Sequence, residues 1–426
     1  MFYHSVTLDE SKCVGCSNCI KRCPTEAIRV KNGKAVITSE RCIDCGECIR
    51  ICPHHAKRAK FTHLIELNSY KYTVALPAPS LYGQFNNLDD IDYVLTGLKA
   101  MGFDDVYEVS SAAELVSEAT RRLMDSGKLQ RPVISSACPA IVRLIRVRFP
   151  DLVDHVLPLF SPMEFAARIA KKKVSERENI PQEDIGVFFI TPCPAKVTAV
   201  SAPISCEKSA VDGAIAISEV FPLLSSKMDK LQSVEPLAQS GIIGVSWATS
   251  GGESTALLKE KYLAADGIEN CIRVLEETED ERIGKLDFIE LNACPGGCVG
   301  GALCVENPYV AKARIQSLRK YMPVSQNHLR QSSGVPEGMS WQKELEFSNV
   351  LTLSEDIAES MRMMVQINSI IPKLPGLDCG ACGSPTCKAF AEDLVQGFSL
   401  YSDCPFEAMA DHTCEIPEEA KRKKEE

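Results

Sequence analysis

The sequence Asn-Ala-Cys-Pro-Gly-Gly-Cys at residues 292–298 decides how the middle of this chain folds. It directly follows a short apolar run at 287–291, and two more cysteine segments also follow runs of this kind. These are Ser-Ala-Cys-Pro at 136–139 and Thr-Pro-Cys-Pro-Ala-Lys at 191–196. Short apolar, β-branched runs are typical of buried parallel strands. Because ligands of open α/β sheets bind beyond the carboxyl ends of strands, the cysteines are expected to converge.

Four convergent thiolates, two of them separated by glycines, are what a cuboidal iron–sulfur cluster needs. At these segments the chain resembles the [FeFe]-hydrogenase family, over roughly residues 70 to 305, and Cys-Pro-Gly-Gly-Cys is the most specific part. The resemblance implies a [4Fe–4S] cluster on four cysteines, namely Cys138, Cys193, Cys294 and Cys298. It also implies that Cys298 bridges to a two-iron subsite with CO, cyanide and azadithiolate ligands, which completes the H-cluster.

Three further residues are assigned by the same resemblance. Lys196 matches the family lysine that binds a cyanide ligand, and a fixed ammonium beside a poorly solvated anion is physically reasonable. Pro77 and Ala78, which follow a strand-like run at 72–76, match the segment whose backbone touches the other cyanide. All three are expected to bind the cofactor, and Lys196 is also counted as catalytic, together with Cys298, Ser161 and the position of Ala137.

The proton path of the family is only partly present in this chain. Ala137 replaces the cysteine that passes the proton to the azadithiolate amine, whereas Ser161 matches the relay serine. The two relay glutamates align near Ala119 and Arg122 and are not retained. Since one positioned proton-transfer group supplies about 10²–10⁴ in rate, slow turnover is expected, which suits a sensor. Glu253 is a substitute donor in principle, but we interpret it as a solvated carboxylate at a helix start.

The surroundings of the proposed cluster are also altered. Thr191 and Asn292 stand where methionines usually pack against the two-iron subsite. Met163 replaces a usual glutamine, and Ala199 replaces a usual glutamate. The resemblance therefore implies a retained catalytic centre with a rewritten environment.

The N-terminal region carries a duplicated cysteine pattern. Each run has the spacing Cys-x2-Cys-x2-Cys-x3-Cys-Pro, with an offset of 29 residues, as in bacterial two-cluster ferredoxins. The fourth cysteine of each run ligates the other cluster, so two [4Fe–4S] centres are predicted: Cys13, Cys16, Cys19 and Cys52; Cys42, Cys45, Cys48 and Cys23. Asn32-Gly33 between β-type runs predicts a hairpin. Structural zinc is the alternative, and this spacing suits it poorly.

A third cysteine pattern lies near the C-terminus, at Cys379, Cys382, Cys387 and Cys404. It resembles the small cluster domain of corrinoid iron–sulfur proteins and of sensory-type [FeFe]-hydrogenases. A further [4Fe–4S] cluster is expected there, with zinc as the alternative. The stretch 350–373 before it predicts one long helix, starting near Ser354 and ending at Pro372, with its methionines in the core.

These patterns predict an α/β and α+β multidomain protein. The expected domains are a ferredoxin-like region at 1–65, a hydrogenase region at 66–335 and a helical cluster domain at 345–426. Strand–helix alternation in the middle region predicts parallel sheets with helices outside. The resemblance implies two such lobes with the active cluster between them.

Composition narrows the class of protein and its surroundings. The chain has 426 residues, 20 cysteines and a net charge of −10, so the cysteines indicate metal binding and nucleic-acid binding is disfavoured. Neither a signal peptide nor a membrane span is expected, and a cytoplasmic location fits best. Four leftover cysteines are interpreted as free thiols: Cys206, Cys271, Cys304 and Cys414.

The expected partners follow from the resemblance. They are H2 and protons, a ferredoxin-like electron partner and the hydrogenase maturation enzymes. A signalling partner, or a sensor domain missing from this sequence, would complete the sensory role. Two alternatives remain at this point: a non-catalytic relative of the iron–sulfur assembly proteins, without the two-iron subsite, and a plain multi-cluster electron carrier.

Overall fold

The computed structural model describes residues 3–330, 334–350, 353–354 and 356–406. Cys414 and the charged tail at 415–426 lie outside the described residues, so the predictions made for them are not addressed. Within the described ranges, no helix is both long and apolar enough to cross a membrane.

The N-terminal region is a small α+β unit built around the two cysteine runs. Its elements are β1 Val6–Leu8, α1 Asn18–Lys21, β2 Ile28–Lys31, β3 Lys34–Ile37, α2 Glu47–Arg50 and β4 Lys57–Ala59. The strands pair antiparallel, β1 with β4 and β2 with β3, and the second pair is the hairpin predicted around Asn32-Gly33. Gly15 and Gly46 have φ of 70° and 77°, a conformation that glycine adopts without steric cost.

Two parallel sheets form the middle region, as the strand–helix alternation predicts. The strands of the first sheet are β5 Tyr72–Pro77, β6 Asp105–Val106, β8 Ile185–Thr191 and β9 Gly213–Ala216. The strands of the second are β7 Val133–Ile134, β10 Tyr262–Asp266 and β11 Phe288–Asn292. The first sheet has the order β6-β5-β8-β9, and the second has the order β10-β11-β7.

Helices cover both faces of the first sheet, which explains why its two central strands, β5 and β8, are mostly apolar. The helices of the middle region are α3 Asp92–Ala100, α4 Val109–Asp125, α5 Pro139–Arg148, α6 Pro162–Glu178, α7 Pro194–Ser201, α8 Ile217–Met228, α9 Ile242–Ser246, α10 Gly252–Ala256, α11 Ile268–Glu279 and α12 Pro308–Leu318. Val187 and Phe189 of β8 pack among the apolar residues of α4 and α6, whereas Phe188 and Ile190 pack toward α3, α8 and α12. Both faces of this strand are thereby removed from water.

The C-terminal region contains α13 Ile357–Ile370 and α14 Cys387–Val395. The prediction of one long helix at 350–373 is wrong in the bounds of the helix and in the residues that it buries. The helix begins after Asp356, whose side chain accepts a hydrogen bond from the Ala358 N–H, and it ends in a 3-10 turn at Ile371–Lys373. Met361 and Met364 are exposed, and Ile367 and Ile370 are the residues of α13 that reach the core. The apolar pattern therefore marks two faces of this helix, and the buried one lies near its end.

Candidate metal centre and its cavity

The four cysteines of the middle region converge at the carboxyl ends of three strands. Cys138 follows β7 and precedes α5, and Cys193 follows β8 and precedes α7. Cys294 and Cys298 follow β11. All four line one cavity of about 90 Å³. The convergence predicted from the three strand–cysteine segments is therefore present in the structure.

The Cys-Pro-Gly-Gly-Cys loop needs its glycines because it is pressed against a neighbouring loop. Gly296 and Gly297 have φ of 76° and 96°. A Cβ on Gly297 would lie 2.4 Å from the Ser250 nitrogen, closer than any carbon atom can approach. The Ser250 N–H donates to the Gly296 carbonyl at 3.0 Å. The loop is thus held in a shape that brings both of its cysteines to the cavity.

Burial makes these sulfurs hard to ionise unless a cationic metal centre is bound. Burial, with the neighbouring sulfurs, raises the pKa of Cys193 to about 12, and burial raises the pKa of Cys294 to about 11. Burial and the same neighbours raise the pKa of Cys298 as well. Four thiolates crowded in one cavity repel each other unless metal ions compensate their charge. The donor set therefore suits an iron–sulfur cluster.

Lys196 and Ala78 lie in the same cavity wall as the sulfurs. Burial lowers the pKa of Lys196, and the sulfurs of Cys193 and Cys298 oppose that effect. Pro77 is the last residue of β5, and the next residue, Ala78, is the one that lines the cavity. An ammonium group and a strand end thus border the same cavity as the four sulfurs.

Glu253 is not the solvated carboxylate that we expected. It is 4% exposed and lines the cavity together with the four cysteines. Burial, followed by the nearby carboxyl of Glu290, raises the pKa of Glu253 to about 8. The reason is local packing, since a Cβ on Gly252 would lie 1.9 Å from the Ser246 carbonyl oxygen. This close contact holds the start of α10 in the interior.

Glu290 is the partner of Glu253 in this wall, and it is also buried. Its carboxylate accepts hydrogen bonds from the backbone N–H groups of Gly251 and Ser254 at 3.0 and 2.8 Å, at the start of α10. Burial raises the pKa of Glu290, and these N–H groups oppose the rise. Backbone donors favour a charged carboxylate, so the pair holds a proton preferentially on Glu253.

Ser135 connects Glu253 to the segment that carries the first cysteine. The Ser135 hydroxyl donates to Glu253 Oε2 at 2.6 Å and accepts from the Ala137 N–H at 3.1 Å. Ala137 itself lines the cavity. The replaced relay position and the buried carboxylate are therefore joined by one hydroxyl group.

Ser161 lies in a second, smaller cavity of about 60 Å³. This cavity also contains Ser136, Met163 and Ala199, and it shares Lys196 with the first one. Ser161 precedes α6 without capping it. The structure thus places the predicted relay serine and Glu253 in different cavities.

The cysteines of the N-terminal region assemble in the crossed manner that was predicted. Cys23 shares one enclosed space with Cys42, Cys45 and Cys48. Burial raises the pKa of Cys19, and the nearby sulfurs of Cys16, Cys13 and Cys52 add to this rise. We call these the inner centre (Cys23, Cys42, Cys45, Cys48) and the outer centre (Cys13, Cys16, Cys19, Cys52).

The inner centre lies directly against the middle region. A Cβ on Gly46 would lie 2.7 Å from the Ala302 Cβ and 3.3 Å from Pro194 Cγ. Arg50 donates to the Gly300 carbonyl at 3.1 Å. Burial would lower the pKa of Arg50, but the nearby Cys294 sulfur and the Glu47 carboxylate outweigh it and raise the pKa. The loops of the inner centre and of the four-cysteine cavity are therefore in contact.

The last four patterned cysteines also come together. Cys379, Cys382, Cys387 and Cys404 surround one enclosed space. Of the leftover cysteines, Cys206 and Cys271 are buried free thiols, and Cys304 packs beside the core. His54 and His55 are exposed.

Comparison with protein families gives three matches along the chain. The model described as "Iron only hydrogenase large subunit, C-terminal domain" matches residues 71–263 and 258–302. A 4Fe-4S dicluster domain matches residues 5–53, and an Fe-S cluster model matches residues 374–406. Each match coincides with one of the cysteine groups described above.

Curated relatives include both hydrogenases and assembly factors. The chain is 23% identical over 376 residues to iron hydrogenase 1 of Clostridium pasteurianum, covering 70% of this chain and 64% of that protein. It is 27% identical to the periplasmic [Fe] hydrogenase large subunit of Nitratidesulfovibrio vulgaris, covering 70% and 86%. It is 22% identical to a probable cytosolic Fe-S cluster assembly factor of Drosophila melanogaster, covering 55% and 58%.

Solved [FeFe]-hydrogenase structures are also similar. One, from a study of stepwise H-cluster assembly, has a TM-score of 0.49 at 18% identity and covers 62% of this chain and 89% of its own.

Proposed function

Because the chain belongs to the iron-only hydrogenase family, we propose that it is a slow [FeFe]-hydrogenase. It would interconvert H2 with two protons and two electrons and serve in H2 or redox sensing. One observation carries this proposal: four cysteines, Lys196 and Glu253 line the same cavity. A centre for metal, a fixed cation and a proton-holding acid are what this reaction requires of a protein.

The cofactor that suits the cavity is the H-cluster, which supplies the metal site for H2 cleavage and the first electron acceptor. Its holders in this chain would be Cys138, Cys193, Cys294 and Cys298, with Cys298 as the bridge. The Lys196 ammonium would bind a cyanide ligand, and the backbone at Ala78 would contact the other. The remainder of the wall includes apolar side chains such as Met163 and Trp247.

Glu253 is the group in this chain that we propose holds the proton at the site. Its carboxyl is buried beside the sulfurs, and its pKa of about 8 lies near neutral pH, where an acid and its base are both available. Glu290 remains fixed by backbone N–H groups, and its carboxyl adds to the effect of burial in raising this pKa. The Ser135 hydroxyl orients Glu253 Oε2.

Electrons would leave the cavity through the inner centre. The Gly46 loop contacts Pro194, the residue after Cys193, and the Arg50 guanidinium contacts Gly300, two residues after Cys298. Electron transfer between clusters weakens steeply with distance, so the cluster whose loop touches the cavity loop is the natural acceptor. A ferredoxin-like protein is the proposed external partner.

The competing function is a non-catalytic iron–sulfur role. It is considered because some relatives are named as cytosolic Fe-S cluster assembly factors. In that case the two-iron subsite would be absent. Lys196, Ala78 and the buried Glu253 would then have no task in the cavity. These side chains therefore favour the hydrogenase interpretation.

Infrared spectroscopy separates the two functions. The protein is reconstituted with iron and sulfide and then loaded with a synthetic di-iron azadithiolate complex. CO and cyanide bands shifted from those of the free complex are expected, and Cys298→Ala should lose them. Cys271→Ala, a buried thiol outside the proposed ligand set, should retain them. Wild-type protein without protein-bound bands, but with its [4Fe–4S] clusters intact, would support the assembly-type role instead.

A further inference from the structure

We propose that the C-terminal centre (Cys379, Cys382, Cys387, Cys404) is the terminal member of the electron path. It exchanges electrons with the outer centre across a packed interface. The path would then run from the C-terminal centre to the outer centre, the inner centre and the cavity. This order rests on the proposed function only for its last step. The interface is formed by the C-terminal region and the hairpin β2–β3 with α1.

A backbone contact joins the two regions at the edge of the hairpin. The Val30 N–H donates to the Gly383 carbonyl at 2.8 Å. Gly383 has φ of 88°, and a Cβ on it would lie 2.1 Å from the Val30 carbonyl oxygen. A glycine is therefore needed here for close approach between the two regions, beyond its need for a positive φ.

A buried ion pair supports this contact. Arg29 Nε donates to Asp393 Oδ2 at 2.6 Å, and the two side chains are 11% and 7% exposed. The Ser384 hydroxyl donates to the same carboxylate oxygen at 2.6 Å. Removing one partner of a buried pair is costly because the other charge remains without solvent. Each charge in this pair therefore requires the other region to be docked.

The same interface brings two cysteine loops together. A Cβ on Gly380, between Cys379 and Cys382, would lie 3.2 Å from both Ser17 Cβ and Ile20 Cδ1. Ser17 and Ile20 flank Cys19, a member of the outer centre. The C-terminal centre thus touches the loop of the outer centre, while the inner centre touches the cavity loops through Gly46. Contact between cysteine loops sets the order of the four centres.

The interface is tested with two glycine variants in protein that carries only [4Fe–4S] clusters. Gly383→Ala places a Cβ against Val30, whereas Gly376→Ala has nothing within 4 Å and has the same kind of backbone, with φ of 65°. Electron paramagnetic resonance of the reduced clusters measures spin coupling between the C-terminal and outer centres. Coupling is expected in wild type and in Gly376→Ala, and it should be lost in Gly383→Ala at equal iron content.

Three further variants guard against simple misfolding. The double variant Arg29→Gln with Asp393→Asn removes both buried charges, so no single charge is left unpaired, and it should weaken the coupling in the same direction. Cys13→Ala, which damages the outer centre, should abolish the coupling, and Cys45→Ala should leave it. Coupling that survives Gly383→Ala, or that follows Cys45 instead of Cys13, would overturn the proposed order. None of these readouts depends on hydrogenase activity.

Discussion

The two walls of the central cavity differ in how they are built. The sulfur wall comes from cysteines in the loops that follow strands β7, β8 and β11, so its members are fixed by fold topology. The proton wall has alanine at position 137 and a carboxylate, Glu253, supplied by a five-residue helix. The metal-binding side of such a cavity tolerates little change, because every ligand must reach the same point. A proton donor, in contrast, can enter from any element that reaches the cavity.

The strongest test of this comparison removes the carboxylic acid and keeps its shape. Glu253→Gln should lower H2 turnover by about 10²–10⁴, since an amide can hydrogen-bond to Ser135 but cannot release a proton. Turnover is measured in both directions with the loaded protein. The infrared bands should remain, because the substitution leaves the sulfur wall unchanged.

The matched control for this test is Glu108→Gln. Glu108 is buried and accepts hydrogen bonds from Ser110 and Ser240, outside the cavity lining. Burial also raises its pKa. Its substitution should leave turnover near the wild-type value. Equal losses in both variants would mean that the effect of Glu253→Gln is structural.

The pH dependence of turnover gives a second test. Glu253 is protonated below a pKa of about 8 and ionised above it. Proton reduction needs the acid form, so its rate should fall by about tenfold per pH unit above this pKa. H2 oxidation needs the base form, so its rate should rise with pH up to the same value. Loss of this inflection in Glu253→Gln would assign the inflection to Glu253. A flat wild-type profile across neutral and mildly alkaline pH would contradict the proposed role of Glu253.

The sequence predicted the sulfur wall well because the signal is local. A strand followed by Cys-Pro or Cys-Pro-Gly-Gly-Cys identifies the ligand residue and places it at the carboxyl end of the strand. Glu253 was misinterpreted because a carboxylate at a helix start is usually solvated. Its burial depends on Gly252 packing against Ser246, a tertiary contact. The glycine pair before Glu253 was the available signal, since paired glycines indicate close approach of the backbone.

The helices also show that tertiary contacts limit what the sequence can predict. Helix α3 could be placed from its apolar spacing and from Gly102, which has φ of 115° near its end. Helix α4 begins at Val109 after Glu108, although Ser110 and Ser111 are residues of the type that commonly cap a helix start. On α13, Met361 is 66% exposed although its spacing matches a buried face. Periodicity identifies an apolar stripe, but packing partners decide whether the stripe is covered.

The smallest expected effect comes from restoring the missing thiol. Ala137→Cys places a sulfur in the cavity wall, and the Ala137 N–H already contacts the Ser135 hydroxyl that orients Glu253. We expect turnover to rise several-fold at most, because Glu253 already holds a proton at the site.

The informative measurement is the double variant Ala137→Cys with Glu253→Gln. If either group can hold the proton, Glu253→Gln will cost less in the Ala137→Cys background than in the wild type, and the difference is their coupling. Additive effects of Ala137→Cys and Glu253→Gln would mean that the two groups act at separate points of one path. The cavity would then have a longer proton route that starts at position 137, and Glu253 would serve as one member of it.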